Sequence, residues 1–350
     1  MDKPRKTQKK ETVPNGRPTI LDLARHAGVS IATVSRALNT PDVVSDDMRR
    51  KVEASVAELG YVTSSVGKAL RKQRTRVIGT LLPQLDNPLF SVFAAGVHSA
   101  LSEAGYVGFI QPVGWDNRQL SKHARTMIAN GAEGIIVFGR IDDPDLFRLQ
   151  KAQKFPLISA YSYHEGSDVP CVGIDNYSAT KLLVNLLLQL GHKRIAMLSA
   201  NMIANDRQQS RIDAYRDVMA EHGLPVFLED IDLSSPEADP SPRLEKLLKG
   251  ENRVSAILCN RDVLAYRTLS VCMKLGIRVP EDVSLTGFDE LEYASLLYPP
   301  LTTVAVPAAE IGRNAARQVI SYLEEGRPLS SYRYDTHVIL RQSVGAPPTT

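Results

Sequence analysis

TILDLARHAGVSIATVSRALN, residues 19–39, holds two short amphipathic segments separated by a glycine and a fresh cap. Thr19 can cap a helix with Asp22 three positions on, the short-carboxylate version of a capping box. Leu23, Ala24 and Ala27 then give that helix an apolar side before Gly28 breaks it. Ser30 caps a second helix in which Val34, Ala37 and Leu38 share one face at spacings of three and four, leaving Ile31, Ala32, Ser35 and Arg36 on another. A third helix begins at Ser45, carries Asp46 and Asp47 where the helix dipole favours anions, repeats Val52, Val56 and Leu59, and stops at Gly60. Three short helices around one small core are therefore predicted. In a helix-turn-helix the second helix lies in the major groove and its first residues meet base edges, which suits a start as compact as Ser30 to Thr33.

Charge divides the chain at the same place. Residues 1–76 hold 16 Lys and Arg against 8 Asp and Glu, a net of +8, whereas residues 77–350 hold 26 against 31, a net of −5. A basic head on an acidic body is the footprint of a phosphate-binding module joined to something that does not touch nucleic acid. Residues 1–16, with Lys3, Arg5, Lys6, Lys9 and Lys10 among Pro, Thr and Gln, read as a disordered basic tail, either a source of nonspecific phosphate contacts or a plain solvated terminus. The first 30 residues lack the apolar core of a signal peptide, and the most apolar stretch, residues 182–190, is interrupted by Asn185 and Gln189. A cytoplasmic chain without a membrane span is expected. Cys171, Cys259, Cys272 and the seven histidines show no metal-ligand spacing, so neither metal nor cofactor is expected.

After residue 76 apolar runs alternate with longer amphipathic segments. VIGTLL (77–82), YVGFI (106–110), GIIVF (134–138) and PLISA (156–160) read as buried parallel strands; RIAMLS (194–199), PVFLEDI (225–231), VSAILC (254–259) and VSLTGF (283–288) form a second set. Two doubly wound halves exceed what one core organises, so two subdomains with a cleft are expected. Ligands of such sheets bind beyond the carboxyl ends of the strands. That rule selects the residues from Pro83 to Phe90, then Trp115, Tyr161, Arg207, Arg211, Arg261 and Asp289. No GxGxxG or Walker pattern follows the first strand and no GxSxG elbow appears, which argues against a dehydrogenase, a kinase or a serine hydrolase. A non-regulatory sugar-binding protein or an enzyme is the remote alternative.

DLARHAGVSIATVSRALN (22–39), then VS at 44–45 and VEASVAELGYV (52–62), resemble the amino-terminal domain of the LacI/GalR family of bacterial repressors. So do NPLF (87–90), EGII (133–136), GIDN (173–176), LGHKRIA (190–196), GIRVPEDVSLTGFDE (276–290) and PLTTV (300–304), which extend the resemblance over roughly residues 17–343. It implies an all-α helix-turn-helix DNA-binding domain (17–62), a hinge helix or linker (63–76), and an α/β two-lobed periplasmic-binding-protein-like (type I) domain for effector binding and dimerisation (77–343), with a flexible tail at 344–350. Crossovers between the lobes are expected near 161–175, 290–305 and 325–333. The implied regulator is a homodimer on a pseudo-palindromic double-stranded operator, with Thr19, Ser30, Ile31, Ala32, Thr33, Ser35, Arg36 and Asn39 at the DNA. In the segment VTSSVGKALRKQRTR (62–76), Leu70 matches the leucine that wedges into the minor groove, and Lys68 lies close to phosphates. Thr63 and Ser64 replace the usual proline and asparagine, and Gly67 replaces a common alanine, at about 1 kcal/mol against a hinge helix.

Carried over residue by residue, the resemblance makes Leu89 and Phe90 effector contacts, Arg211 the arginine that holds a ligand hydroxyl or carboxylate, and Asp289 the acceptor of ligand hydroxyls. Arg207 and Arg261 depart from the family pattern, standing where small polar residues and asparagine are common. Three guanidiniums in one cleft call for an anion. The expected effector is acidic, a sugar acid or another small carboxylate, phosphorylated or not. The alternative is that Asp206, Asp262 and Asp289 neutralise the arginines and the effector is a neutral sugar. Trp115 and Phe90 could stack on a ring face, although a lone aromatic is more often core; Tyr161 is a weaker candidate.

Overall fold

Thr19 and Asp22 hold each other at the start of the first helix. The Thr19 N–H and hydroxyl both donate to the Asp22 carboxylate, at 2.9 and 2.6 Å, and the Asp22 N–H returns a bond to the Thr19 hydroxyl. α1 (Ile20–Ala27) ends where Gly28 turns left-handed, and Ser30 accepts from the Thr33 N–H at 3.1 Å to start α2 (Ile31–Asn39). A 3-10 turn at Pro41–Val43 leads to α3 (Asp46–Leu59). Ser45 stands at its amino terminus but makes no side-chain capping bond. Leu23 and Ala24 of α1, Val34 and Ala37 of α2 and Val52 of α3 form the buried core, with Leu38 and Val56 packed partly against it. This is a computed structural model that describes residues 18–62, 74–115, 118–200, 205–231, 240–250 and 253–348. The chain divides into two compact units, Met1–Thr75 and Arg76–Thr350.

The second unit holds two parallel sheets. β1 (Val77–Leu82), β2 (Val107–Pro112), β3 (Ala132–Phe138), β4 (Leu157–Ser162), β5 (Cys171–Ile174) and β11 (Tyr332–Tyr334) form the first, in the order β11-β5-β4-β3-β1-β2. β6 (Ile195–Ser199), β7 (Phe227–Asp230), β8 (Ala256–Cys259) and β9 (Ser284–Thr286) form the second, in the order β7-β6-β8-β9. β10 (Thr303–Ala305) and β12 (His337–Ile339) pair as an antiparallel ribbon. Around the first sheet lie α4 (Pro88–Glu103), α5 (Leu120–Ala129), α6 (Pro144–Gln153) and, from late in the chain, α11 (Ala308–Glu325). The second carries α7 (Asn176–Gln189), α8 (Asp206–Glu221), α9 (Ser241–Leu248) and α10 (Asp262–Leu275). β4, β6 and β8 are buried along their whole length, which is why these strands read as unbroken apolar runs.

The crossovers differ from expectation. Residues 171–174 and 332–334 are still strands of the first sheet, so the first and third crossings come after Ile174 and after Tyr334. Strands of three or four residues carry too little periodicity to be read from sequence. The expected flexible tail is docked as far as it is described. The Gly345 N–H donates to the Ser284 hydroxyl at 2.9 Å, its carbonyl lies 2.9 Å from His192 Nε2, and the Ser343 hydroxyl donates to the Leu285 carbonyl. His192, buried with its other ring nitrogen 2.9 Å from Ser255, ties this tail to the second sheet; burial lowers its pKa. Among the described residues no helix is long and apolar enough to cross a membrane, and no cluster of His, Cys, Asp or Glu is arranged to hold a metal ion.

Candidate effector site and DNA-binding surface

The carboxyl ends of both sheets converge on one small cavity with about 20 Å³ of free space, room for roughly one water molecule, so a larger ligand enters only if the walls part. Its wall contains all eight of the residues singled out from sequence: Leu89, Phe90, Trp115, Tyr161, Arg207, Arg211, Arg261 and Asp289. Asn87 and Gln208 complete it. β1 delivers Leu89 and Phe90 through the start of α4, where Asn87 caps the helix by accepting from the Leu89 N–H at 3.0 Å. α8 delivers Arg207, Gln208 and Arg211 from its first two turns, and the loop after β8 delivers Arg261.

Arg211 is almost fully buried, and each of its three nitrogens has a partner. Nε donates to Asn176 at 2.9 Å, Nη1 to the Asn260 carbonyl at 2.5 Å, and Nη2 reaches the Tyr161 hydroxyl at 3.4 Å and Asp289 at 3.6 Å. The guanidinium lies 3.5 Å from the centroid of Phe288, a cation–π contact that shields it further. Tyr161 donates to Asp289 at 2.6 Å, joining the two lobes. Both residues hold backbone conformations that L side chains rarely adopt, φ 77° and 112°. Such strain costs on the order of 1–3 kcal/mol per residue and is characteristic of sites whose geometry is imposed by function. Burial, then the Asp289 charge, pushes the Tyr161 phenol well above its ordinary pKa, so it stays a donor.

Arg207 is neutralised by its neighbour. Asp206 accepts from Arg207 at 2.9 Å, from Ser162 at 2.7 Å, and lies 3.3 Å from His164 Nε2. Burial would raise the Asp206 carboxyl, but Arg207 and the hydrogen bonds from His164 and Ser162 outweigh it and hold the group below the ordinary carboxylate range. The Arg207 guanidinium crosses to the first lobe, 5.0 Å from the Phe138 ring, and rests where Gly139 has no side chain; a Cβ there would stand 2.0 Å from Nη1. Arg261 has a different environment. It donates to the Ala200 carbonyl at 3.0 Å and lies 5.4 Å from the Trp115 ring, and it forms no ion pair among the described residues. Burial pulls its guanidinium down to about 10. Of the three acids expected as neutralisers, Asp206 and Asp289 pair with Arg207 and Arg211, whereas Asp262 turns away to accept from the Leu291 N–H and the Thr303 hydroxyl. Trp115 is a wall and a packing residue at once, tilted against Phe90 at 5.9 Å.

In the first unit the free side of α2 presents Ile31, Ala32, Arg36 and Asn39, all exposed. Asn39 also donates to the Ser35 carbonyl at 2.7 Å, while Thr19, Ser30 and Thr33 spend their hydroxyls on caps. Lys68 and Leu70 lie outside the described residues.

A model of bacterial regulatory proteins of the lacI family matches residues 19–64, and one of a periplasmic binding protein-like domain matches residues 184–344. The HTH-type transcriptional repressor CytR of Escherichia coli (strain K12) is 31% identical over 349 residues, covering 98% of this chain and 100% of the relative. The chain belongs to the lacI family of bacterial regulatory proteins. The ribose operon repressor of Haemophilus influenzae is 28% identical over 93% of this chain and 98% of its own length. In fold, this LacI-family chain is similar to the lac repressor dimer bound to operator and the anti-inducer ONPF, with TM-score 0.79, 23% identity, and 95% and 100% of the two chains covered. It is a DNA-binding transcriptional regulator with a helix-turn-helix head and a periplasmic-binding-protein-like effector domain.

Several residues that build the site of this LacI-family regulator escaped sequence reasoning. Asn87 and Asn176 sat inside recognisable runs, NPLF and GIDN, yet nothing local says that the first faces the cavity and the second orients Arg211. Asn260, Phe138, Phe288, Ser162 and His164 come from four separate loops or strand ends, so only the fold brings them to the arginines. Asp262 sets a pH dependence. Burial, then the Asp289 charge, pushes its carboxyl up to about 8. A carboxyl raised in the folded state contributes stability that is complete below its unfolded value and is lost as pH climbs through the folded one. Asp262→Asn can keep both contacts if the Thr303 hydroxyl turns to accept. Its melting temperature is expected to match wild type near pH 4 and to exceed it by on the order of 5 °C near pH 9, read by calorimetry across that range.

Proposed function

We propose that this regulator is a cytoplasmic repressor that grips a pseudo-palindromic operator as a homodimer, and that a small acidic effector, a sugar acid or related carboxylate, controls the grip. The carrying observation is the charge of the cavity. Three buried guanidiniums meet two carboxylates, Asp206 and Asp289, and Arg261 pairs with neither. An effector carboxylate would supply the missing charge through charge-assisted hydrogen bonds, which contribute about 1.5–3 kcal/mol each. Trp115 would pack its face against the carbon skeleton, and Asp289 would accept from its hydroxyls. Ile31, Ala32, Ser35, Arg36 and Asn39 would meet the major groove, and Lys68 and Leu70 the operator centre. Exposed Met273 and Tyr298, which line one groove on the second lobe, would offer an apolar face for the partner copy, in keeping with the dimer seen for the lac repressor. Effector binding would change the relative lobe orientation and so operator affinity, with either sign.

A neutral sugar is the second reading, favoured by the Asp206–Arg207 pair and by the similarity to a ribose operon repressor. The two separate in one experiment. Aldonic and uronic acids are compared with the matching neutral aldoses by thermal shift on the full chain, and operator DNA selected from a random pool is titrated with and without each compound. An acid is expected to stabilise wild type and to change operator affinity, and Arg261→Gln to weaken that acid about 10- to 100-fold. Leu70→Ala should weaken the selected operator more than random DNA. Stabilisation by a neutral aldose with none by any acid overturns the acidic reading.

A further inference from the structure

Arg76 is the first residue of the effector unit, and the chain on its amino-terminal side leads to the DNA-binding unit. Five residues from four parts of the first lobe meet on this one residue. Its carbonyl accepts from the Val107 N–H at 2.8 Å, at the start of β2, and its N–H donates to Glu133 at 3.0 Å, at the start of β3. Its guanidinium donates from Nη1 to the Ala104 carbonyl at 2.8 Å and from Nη2 to Glu324 at 3.1 Å, and lies 5.1 Å from the centre of the Tyr106 ring. Ala104 is the carboxyl cap of α4, and Glu324 belongs to the last turn of α11. One planar fork thus ties the carboxyl ends of two helices, where a cation is favoured by the helix dipole. Arg76 itself is held at φ 57°, in the left-handed region that L side chains rarely adopt.

The far ends of both helices are at the cavity. α4 begins at Pro88 beside Leu89 and Phe90, and α11 begins at Ala308, three residues beyond Ala305, which bridges Asp289. At 16 and 18 residues the helices span roughly 24 and 27 Å. Their backbones touch: a Cβ at Gly96 would stand 2.0 Å from the Ala309 carbonyl oxygen, and one at Gly312 2.4 Å from that of Phe93. With no flexible side chain between them at these points, the pair resists independent sliding and carries a displacement along its length.

We propose that Arg76 is a positioning residue that couples the effector cavity to operator affinity by clamping the carboxyl ends of α4 and α11 where the linker departs. This rests on the reading of effector-controlled operator binding. Arg76 is half exposed, so its ion pair with Glu324 contributes little stability by itself, and the expected effect of replacing it lies in coupling.

The test is a double-mutant cycle on the full chain, read as operator affinity by fluorescence anisotropy on DNA selected from a random pool. Asp289→Asn perturbs the cavity isosterically and is expected to change operator affinity at least fivefold when Arg76 is present. In the Arg76→Ala background the same substitution is expected to change it less than twofold. Arg76→Lys keeps the charge but not the fork, and is expected to behave like Arg76→Ala; melting curves of both should stay close to wild type. Equal effects of Asp289→Asn in all three backgrounds overturn the role of Arg76 while leaving effector control intact. No effect of Asp289→Asn in any background overturns effector control through this cavity, and the proposal with it.

Discussion

Arg211→Ala is expected to abolish the effector-induced thermal shift and, independently, to lower the melting temperature of the effector unit by about 10 °C. The two losses have different origins. Arg211 offers five N–H donors to a cavity wall in which Asn176, Asn260, Tyr161 and Asp289 are already arranged around it, so its position relative to an effector is fixed before binding. Removing it takes away a preorganised donor, for which at least a 100-fold loss of affinity is expected in calorimetric titration. The stability loss follows from what remains. Asp289 would keep the Tyr161 hydroxyl but lose its ion-pair partner, leaving Arg261 and Arg207 to act on it only from farther away, and breaking one side of such a buried pair costs about 3–5 kcal/mol. At roughly 2–4 °C per kcal/mol for a unit of this size, that gives the stated shift. Arg211→Lys separates the effects: the retained charge should restore most of the melting temperature, while the lost fork should leave effector binding weak. A wild-type titration from Arg211→Ala would show that this residue serves packing alone.

Leu23→Ala should remove operator binding without touching the effector domain. The core of the head consists of Leu23, Ala24, Val34, Ala37 and Val52, and Leu23 is the largest of them and fully buried. Truncating a buried leucine costs about 2–5 kcal/mol, which is comparable with the whole stability of a unit this small. The head should then be largely unfolded at 37 °C, and specific operator affinity should fall by two orders of magnitude or more in anisotropy measurements. The melting transition of the unit from Arg76 onward should stay in place, because the two units have separate cores. A head that keeps its operator affinity with Ala at position 23 would mean that Val34 and Val52 suffice to hold α2.

The helix-turn-helix was legible because its signals are local. Thr19 with Asp22, Gly28 and Ser30 lie within a few residues of the backbone groups they satisfy, and the capping bonds appear where the spacing puts them, Ser45 apart. The eight cavity candidates were legible for another reason: carboxyl ends of parallel strands face one way, so reading the strands correctly also indicates which loops converge. The strands that were missed, β5 and β10 to β12, have three or four residues and gain their conformation from neighbours distant in sequence. The tail at 344–350 looked free because Gly, Ala, Pro and Thr give no apolar pattern; the bonds that hold Gly345 come from His192 and Ser284.

Sequence alone determined the two-unit architecture, the sign of charge on each unit and eight of the side chains that meet at the cavity, since these follow from periodicity, caps and strand polarity. Tertiary structure decided what those side chains are to one another. Arg207 and Arg211 acquire carboxylate partners and Arg261 does not, Asp262 becomes a buried acid serving a backbone N–H, and Arg76 becomes a clamp on two helices. The physical reason is one of range. Caps and periodicity act over a few residues, whereas, the adjacent Asp206–Arg207 pair apart, these charges depend on groups 28 to 248 positions away, which no local pattern encodes.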